Sequence, residues 1–479
     1  MDFSIRENRY TRINEVSADF LFNLQQSTQA DPFYPSFHIA PKHGLLNDPN
    51  GLSFFNGEHH IFYQWFPLGP VHGLKHWYHV STKDFVQFTD RGIALYPDQA
   101  YDHHGCYTGI GLPHGDQLYL FYTANLFDEQ GIRVPSQVMA SMNKQGQIEK
   151  HGVVVPLNAE AYTPHFRDPI IVHREESYHM LIGAQGLDGK GKLAHYRGND
   201  IDSYQHQGNI DVGLADFGYM WECPNYYEDQ EHGVFIFSPQ GVTANNKYDL
   251  KNVYSVVYMI GEPIDFQRQI FPNNGYRELD KGFDFYAPQL YLDEQQRRIL
   301  IGWLGNSESE YPTDKNGWAH MLTLPRQITI QDDYLLQTPL QELSALRHDT
   351  ASIEATHTLT SQAFELELEV DGDFSLTLAN RNGERMTFSA DEDEFTLDRS
   401  HVSHLHAQAF GTVRYAKRLQ AAQHIRVFVD HSSVEIFADG GKTVFTSRLF
   451  IDDLSDISLS GAKATLHNLS SIQYLSPQK

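Results

Sequence analysis

Apolar positions recur at two different periods along the chain. Between residues 13 and 24, Ile13, Val16, Phe20, Leu21 and Leu24 fall at helical spacing, which predicts a short amphipathic helix. From Ala40 onward the pattern changes to short aromatic and β-branched runs separated by turn residues. Residues 61–65, 118–123, 178–182, 234–237, 253–258 and 298–303 each read as a strand, and together they predict an all-β architecture. The runs recur roughly every four dozen residues, about the length of one four-stranded propeller blade. Residues 40–337 leave room for five or six blades, and a double sandwich would give similar strand counts.

Farther along, Leu340, Leu343 and Leu346 stand at helical spacing within residues 337–347, which predicts a short helical linker. Residues 364–370 then alternate strictly, as do 374–378, 425–429 and 434–437, the last pair separated by Asp430, His431, Ser432 and Ser433. One dry and one wet face per strand is the pattern of a sandwich. The expected organisation is an N-terminal helix and propeller over residues 1–337, a linker over 338–350 and a β-sandwich over 351–479.

With 479 residues the chain exceeds the length at which one core stops growing, so at least two domains are expected. Apolar residues make up 41% and aromatics 13%, enough for well-filled cores. Against 61 Asp and Glu stand 36 Lys and Arg, a formal charge of −25 with no basic stripe, which excludes nucleic acid as a partner. A field of this sign repels anions, so a phosphorylated ligand needs local cations at its site. Residues 1–10 are charged and polar, no stretch approaches a membrane span, and Cys106 and Cys223 lack metal or disulfide spacing. These features point to the cytoplasm and to no membrane partner; oligomeric state is not legible.

The candidate chemistry lies in three acids, each ending an apolar run beside a proline: Asp48 in His43–Gly51, Asp168 in Phe166–Pro169, and Glu222 in Trp221–Asn225. Taken alone, Asn47-Asp48-Pro49-Asn50-Gly51 is an ideal turn, Arg167-Asp168 an ion pair starting a turn, and Glu222 a solvated strand end. Taken together, they are the set a glycosidase needs: a nucleophile, a proton donor and a carboxylate that binds sugar hydroxyls. The inner strands of a propeller deliver remote residues to one channel, so these acids can converge. His59-His60 and His103-His104 are adjacent pairs that point to opposite strand faces and cannot chelate together, so neither metal nor cofactor is implied.

These stretches, with Gln64-Trp65-Phe66-Pro67, residues 102–109 and residues 279–289, resemble glycoside hydrolase family 32, the β-fructofuranosidases. The resemblance covers nearly the whole chain. It implies a five-bladed β-propeller followed by a C-terminal β-sandwich, and a retaining mechanism on a small sugar substrate. By the same resemblance Asp48 is the nucleophile, Glu222 the acid/base, Asp168 the transition-state stabiliser, and Asn47 a ligand of a fructosyl hydroxyl. Gln64 and Trp303 resemble substrate-binding positions, and Tyr107-Thr108-Gly109 stands where the family commonly has Phe-Ser-Gly. Leu45 and His72 replace tryptophans of many relatives.

A retaining enzyme holds its two carboxyls about 5 Å apart. Glu222 must be protonated for the first step; Asp48, Asp168, Trp221 and Cys223 are expected to favour that form, and Arg167 to keep Asp168 ionised. Trp77 and Tyr286 are candidate stacking platforms, or core. The segment Val71–Trp77 resembles the bacterial sucrose-6-phosphate hydrolase branch, with Lys75, His72 and His76 as local cations for a phosphate. The expected activity is retaining hydrolysis of the fructosyl linkage of sucrose or its 6-phosphate. A fructan exohydrolase or fructosyltransferase on the same scaffold is the alternative, and a non-catalytic sugar-binding module would have lost one of the acids.

Overall fold

Apart from one α-helix and several 3-10 turns, the computed structural model, which describes residues 1–243 and 246–476, is built of strands. Up to Pro339 they form five successive antiparallel sheets. The first strand of each is β1 (Gly44–Phe55), β2 (Cys106–His114), β3 (Tyr162–Arg174), β4 (Met220–Glu228) and β5 (Tyr286–Leu292). Each of these strands touches the first strand of the next sheet, and β5 returns to β1, so the sheets stand in a propeller-like ring with these strands innermost. The second, third and fourth sheets have four strands in plain up-and-down order. The first sheet gains Trp318–Ala319 beside β1 and Gln473–Leu475 on its outer edge, both parallel, so the C-terminal end of the chain is stitched back to the ring.

The second strand of each sheet explains why the sequence shows continuous apolar runs rather than alternation. Both faces of a sheet in the ring are covered by neighbouring sheets, so most positions are buried and only the choice of neighbour alternates. Leu118, Leu120 and Tyr122 pack toward the first sheet, while Phe121 joins Phe166, Met180 and Ile182 of the third. Phe235 and Phe237 likewise meet Leu181 and Leu193, whereas Val234 and Ile236 turn to Leu300 and Trp303.

From Arg347 onward the chain forms the C-terminal β-sandwich. Two long strands, β6 (Ala363–Ala379) and β7 (Asp456–Leu469), cross between its layers. Residues 363–371 of β6 pair with Ala422–Asp430 in one layer, and residues 374–379 pair with Arg385–Ala390 in the other. Phe364, Leu366, Leu368 and Val370 fill the space between the layers, as their alternation requires.

Four local expectations are revised. The helix α1 (Ala18–Gln29) starts after Ser17, whose Oγ accepts the Phe20 N–H at 3.2 Å, and Ile13–Glu15 is a separate 3-10 turn. Residues 253–256 are loop: the ladders of this strand end at Val257, paired with Phe237 on one side and Glu278 on the other. The stretches 364–370 and 374–378 are one strand. The linker is the 3-10 helix Gln341–Leu346, in which leucines three residues apart share one buried side.

The ring and the sandwich meet through buried charges. Arg326 donates to Asp280 and Glu435, His38 bridges Asp430 and Glu435, and Asp284 accepts from Arg399, Tyr311 and the Arg448 N–H. Among the described residues no helix is long and apolar enough to cross a membrane.

Candidate active site

All five innermost strands carry a β-bulge at the same level of the ring. In each, two residues stand against one of the adjacent strand: Asn47 and Asp48 in β1, Tyr107 and Thr108 in β2, Asp168 and Pro169 in β3, Cys223 and Pro224 in β4, Ala287 and Pro288 in β5. Proline suits a bulge because the missing N–H falls where the ladder is already broken. Asp168, Cys223 and Ala287, each directly before its proline, have φ of 66°, 48° and 45°, a left-handed conformation that surrounding contacts must hold. The bulges re-aim side chains. In a regular strand Asn47 and Asp48 would face opposite ways; here both reach the same cavity, as do Tyr107 with Thr108 and Arg167 with Asp168.

That cavity, about 470 Å³, lies at the end of the central channel where the bulges open. It is lined by twelve of the residues singled out from the sequence: Asp48, Asp168, Glu222, Asn47, Gln64, His72, Lys75, Tyr107, Thr108, Arg167, Tyr286 and Trp303. Trp77 is core, its Nε1 donating to the Tyr107 carbonyl at 2.9 Å. No sequence signal singled out Arg6, Arg9, Tyr10, Arg133, Gln240 or Ser307, which also line the cavity, from the N-terminal segment, loops and the end of the strand Gly233–Gln240.

On the floor, Asp48 is buried and held from several sides. Thr108 donates to its Oδ2 and accepts from Gln64, and Gln64 Nε2 also reaches Oδ2 at 3.3 Å. Asn47 Nδ2 donates to Asp48 Oδ1 at 3.0 Å, while Lys75 Nζ donates to Asn47 Oδ1 at 2.6 Å. A lysine only donates, so it fixes which end of the Asn47 amide faces the carboxylate. Burial pushes the Asp48 carboxyl above its usual range, with Thr108 pulling the other way and Glu222 adding to the rise. Burial likewise brings Lys75 down to about 7, against the attraction of Asp48.

Asp168 accepts the Cys223 N–H at 2.9 Å, and its own N–H donates to Thr123 Oγ1 at 2.8 Å. Burial raises its carboxyl to about 7; Arg167 opposes the rise, while Glu222 and Asp48 add to it. Glu222 stands opposite. Arg167 Nε and Nη2 donate to its Oε1 at 2.9 and 2.7 Å, and Tyr286 Oη donates to its Oε2 at 2.6 Å.

Four sequence-based expectations change here. Arg167 hydrogen-bonds Glu222 and His165 rather than Asp168, because the bulge in β3 turns Asp168 away from its neighbour. Cys223 faces the two aspartates, its Sγ 3.6 Å from an oxygen of each, and Trp221 is buried against Phe237 instead of lining the acid. His76 lies outside the cavity, and burial brings its imidazole to about 4. His72 lines the cavity, but burial keeps it far below its usual range, so neither histidine is a cation at neutral pH.

Comparison with known proteins matches this arrangement along nearly the whole chain. The sequence model of the Glycosyl hydrolases family 32 N-terminal domain matches residues 38–339, and that of the Glycosyl hydrolases family 32 C terminal matches residues 332–476. A sucrose-6-phosphate hydrolase of Vibrio alginolyticus is 49% identical over 457 residues, 95% of this chain and 94% of that protein. The structure of sucrose-6-phosphate hydrolase from Lactobacillus gasseri superposes with a TM-score of 0.93 at 32% identity, covering 98% of this chain and 99% of that one. A mutant family 32 β-fructofuranosidase of Bombyx mori in complex with sucrose is similar over 99% of this chain and 100% of its own, with a TM-score of 0.83 at 26% identity.

Proposed function

The chain belongs to glycosyl hydrolase family 32, and from that membership we infer that its pocket hydrolyses the fructosyl linkage of sucrose-6-phosphate by a two-step, retaining displacement. The observation that carries this reading is the meeting of three carboxylates from three different sheets in one cavity of disaccharide size, each within electrostatic reach of the others.

In the first step an Asp48 oxygen bonds to the anomeric carbon of the fructosyl unit. The bond to the bridging oxygen breaks, its electron pair leaves with that oxygen, and Glu222 supplies the proton. In the second step water attacks the same carbon, Glu222 takes the proton of the water, and Asp48 departs as carboxylate, so two inversions leave the configuration retained. Asp168 binds ring hydroxyls and stabilises the positive charge that develops in the transition state of each step. Asn47 and Gln64 hold Asp48 in line. Glu222 accepts three hydrogen bonds from Arg167 and Tyr286, which leaves one of its roughly four lone-pair positions for the proton that it hands over in the first step.

We read the five sheets as five blades, with the two-domain division falling across residues 338–350. Cytoplasmic placement is supported by two free, buried thiols. The test is direct. Hydrolysis followed by NMR should release fructose first as the β anomer, and rapid quenching with mass analysis should find a fructosyl ester on the peptide holding Asp48. An inverted product would overturn the mechanism, and more fructosyl transfer than hydrolysis at high sucrose would reassign the acceptor.

A further inference from the structure

Three guanidinium groups at the mouth of the pocket have no acid to answer them. Arg6 and Arg9 come from the 3-10 turn Arg6–Tyr10, and Arg133 from the loop between the second and third strands of the second sheet. Among the described residues none of the three has a carboxylate within salt-bridge distance, in a chain with 61 acids and 36 cations. They are nevertheless gathered. Arg6 Cζ lies 4.9 Å from the centroid of the Phe127 ring, and Arg133 Cζ lies 5.6 Å from the same ring and 5.7 Å from that of Tyr107. Arg9 Nε is tied to the Phe3 carbonyl at 2.7 Å, which leaves its terminal nitrogens to the pocket. Arg133 Nε is out of contact with water and has no hydrogen-bond partner. Such a group is costly unless something in the functional state accepts its hydrogen bond.

The segment that brings Arg6 and Arg9 is firmly seated. The Arg9 carbonyl accepts the Leu74 N–H at 2.7 Å, Phe3 covers Gly69, and Tyr10, Ile13 and Val16 pack with Leu45, Phe66 and Leu74. Arg133 and Lys75 stand at different places in the pocket. Lys75 is at the floor beside Asn47 and Asp48, where the fructosyl unit reacts. Arg133 adjoins Tyr107 on the side of His165, Arg167 and Glu222, where the leaving sugar departs.

We propose that Arg6, Arg9 and Arg133 form the phosphate subsite of the pocket, receiving the 6-phosphate of the leaving glucosyl unit. The proposal rests on the reading above that the substrate is sucrose-6-phosphate. A phosphate dianion offers oxygens to several guanidinium forks at once, and a local cluster of cations overcomes the repulsion that the net charge of −25 imposes on it.

The measurement is the ratio of kcat/KM for sucrose-6-phosphate to that for sucrose, in the wild-type protein, in Arg133→Gln, in Arg6→Gln and in the triple Arg→Gln variant. Each charge-assisted bond is worth roughly tenfold or more, so the ratio should fall about 10-fold in Arg133→Gln and at least about 100-fold in the triple variant. The wild-type ratio should also fall with added salt, and that of the triple variant should not. Lys75→Ala, by contrast, should leave the ratio unchanged while lowering both rates. A wild-type preference for the phosphorylated sugar that survives the arginine substitutions would overturn the subsite alone. Absence of any wild-type preference would overturn the substrate reading, and the subsite with it. If the triple variant does not fold, the two single variants decide by the same ratio.

Discussion

At the residue scale, Asp168 shows how a binding carboxylate is kept at the expense of stability. Its folded-state value of about 7 lies above that of an ordinary carboxylate, chiefly through burial. Between about pH 4 and pH 7 the folded protein therefore keeps a proton that the unfolded chain releases, and stability falls as pH rises through that window. Asn has nearly the shape of the protonated acid. Asp168→Asn should accordingly raise Tm at pH 8, leave Tm near pH 4 close to wild type, and lower kcat by about 100-fold or more through the lost charge. A variant that is less stable at pH 8 would refute this account. Glu222→Gln keeps the acceptor positions for Arg167 and Tyr286 but cannot give up a proton to the leaving oxygen. It should lose on the order of 10²-fold to 10⁴-fold in kcat with sucrose-6-phosphate while folding normally. Much of that loss should disappear with an activated leaving group that needs no proton.

At the scale of elements, the five bulges matter more than the strands that contain them. A regular innermost strand would send only every second side chain into the channel, whereas the bulged β1, β2 and β3 each bring two consecutive ones to the cavity, and the bulges of β4 and β5 follow directly on Glu222 and Tyr286. The spacing between neighbouring sheets is set by small residues next to these bulges. Gly183, opposite Arg167 in the third sheet, leaves no room for a side chain: a methyl there would sit on the Trp221 carbonyl oxygen of β4 and press on the Arg167 carbonyl oxygen at 3.2 Å. Gly183→Ala should push β4 from β3, separate Arg167 from Glu222, and lower both Tm and kcat. The test is whether the two fall together; a fully active, equally stable Gly183→Ala protein would contradict the account.

At the scale of the whole molecule, the sandwich is fastened to the ring by buried ions, and His38 lies at the centre of that fastening. Burial by itself lowers its pKa, but hydrogen bonds to Asp430 at 2.8 Å and Glu435 at 2.9 Å raise it to about 9. Its contribution to stability is therefore complete below about pH 6.5 and is lost as pH rises through 9. His38→Gln should destabilise the protein at pH 6 by on the order of 3 kcal/mol, because Asp430 is left buried without its cation and Glu435 keeps only Arg326. The variant should also flatten the decline of Tm between pH 7 and 9. Since Asp430 also accepts the Ser36 and Phe37 N–H groups, the same substitution loosens the entry into β1, and a smaller fall in kcat should accompany the loss of stability.

The order of amino acids was enough to set the class of fold and the chemical inventory. Runs such as 118–123 and 364–370 report burial on two faces or on one, and Asp48, Asp168 and Glu222 beside their prolines carry the family pattern wherever they end up in space. Tertiary structure alone decided which way those residues point and what they touch. A bulge is set by the register between two strands, and a single strand's period of two cannot reveal it, so Arg167 meets Glu222 where sequence adjacency argued for Asp168. Contacts between remote segments are likewise fixed only when the ring closes. That closure brings Arg6, Arg9 and Arg133 to one mouth and joins His38 to Glu435, through interactions that no local pattern in either segment encodes.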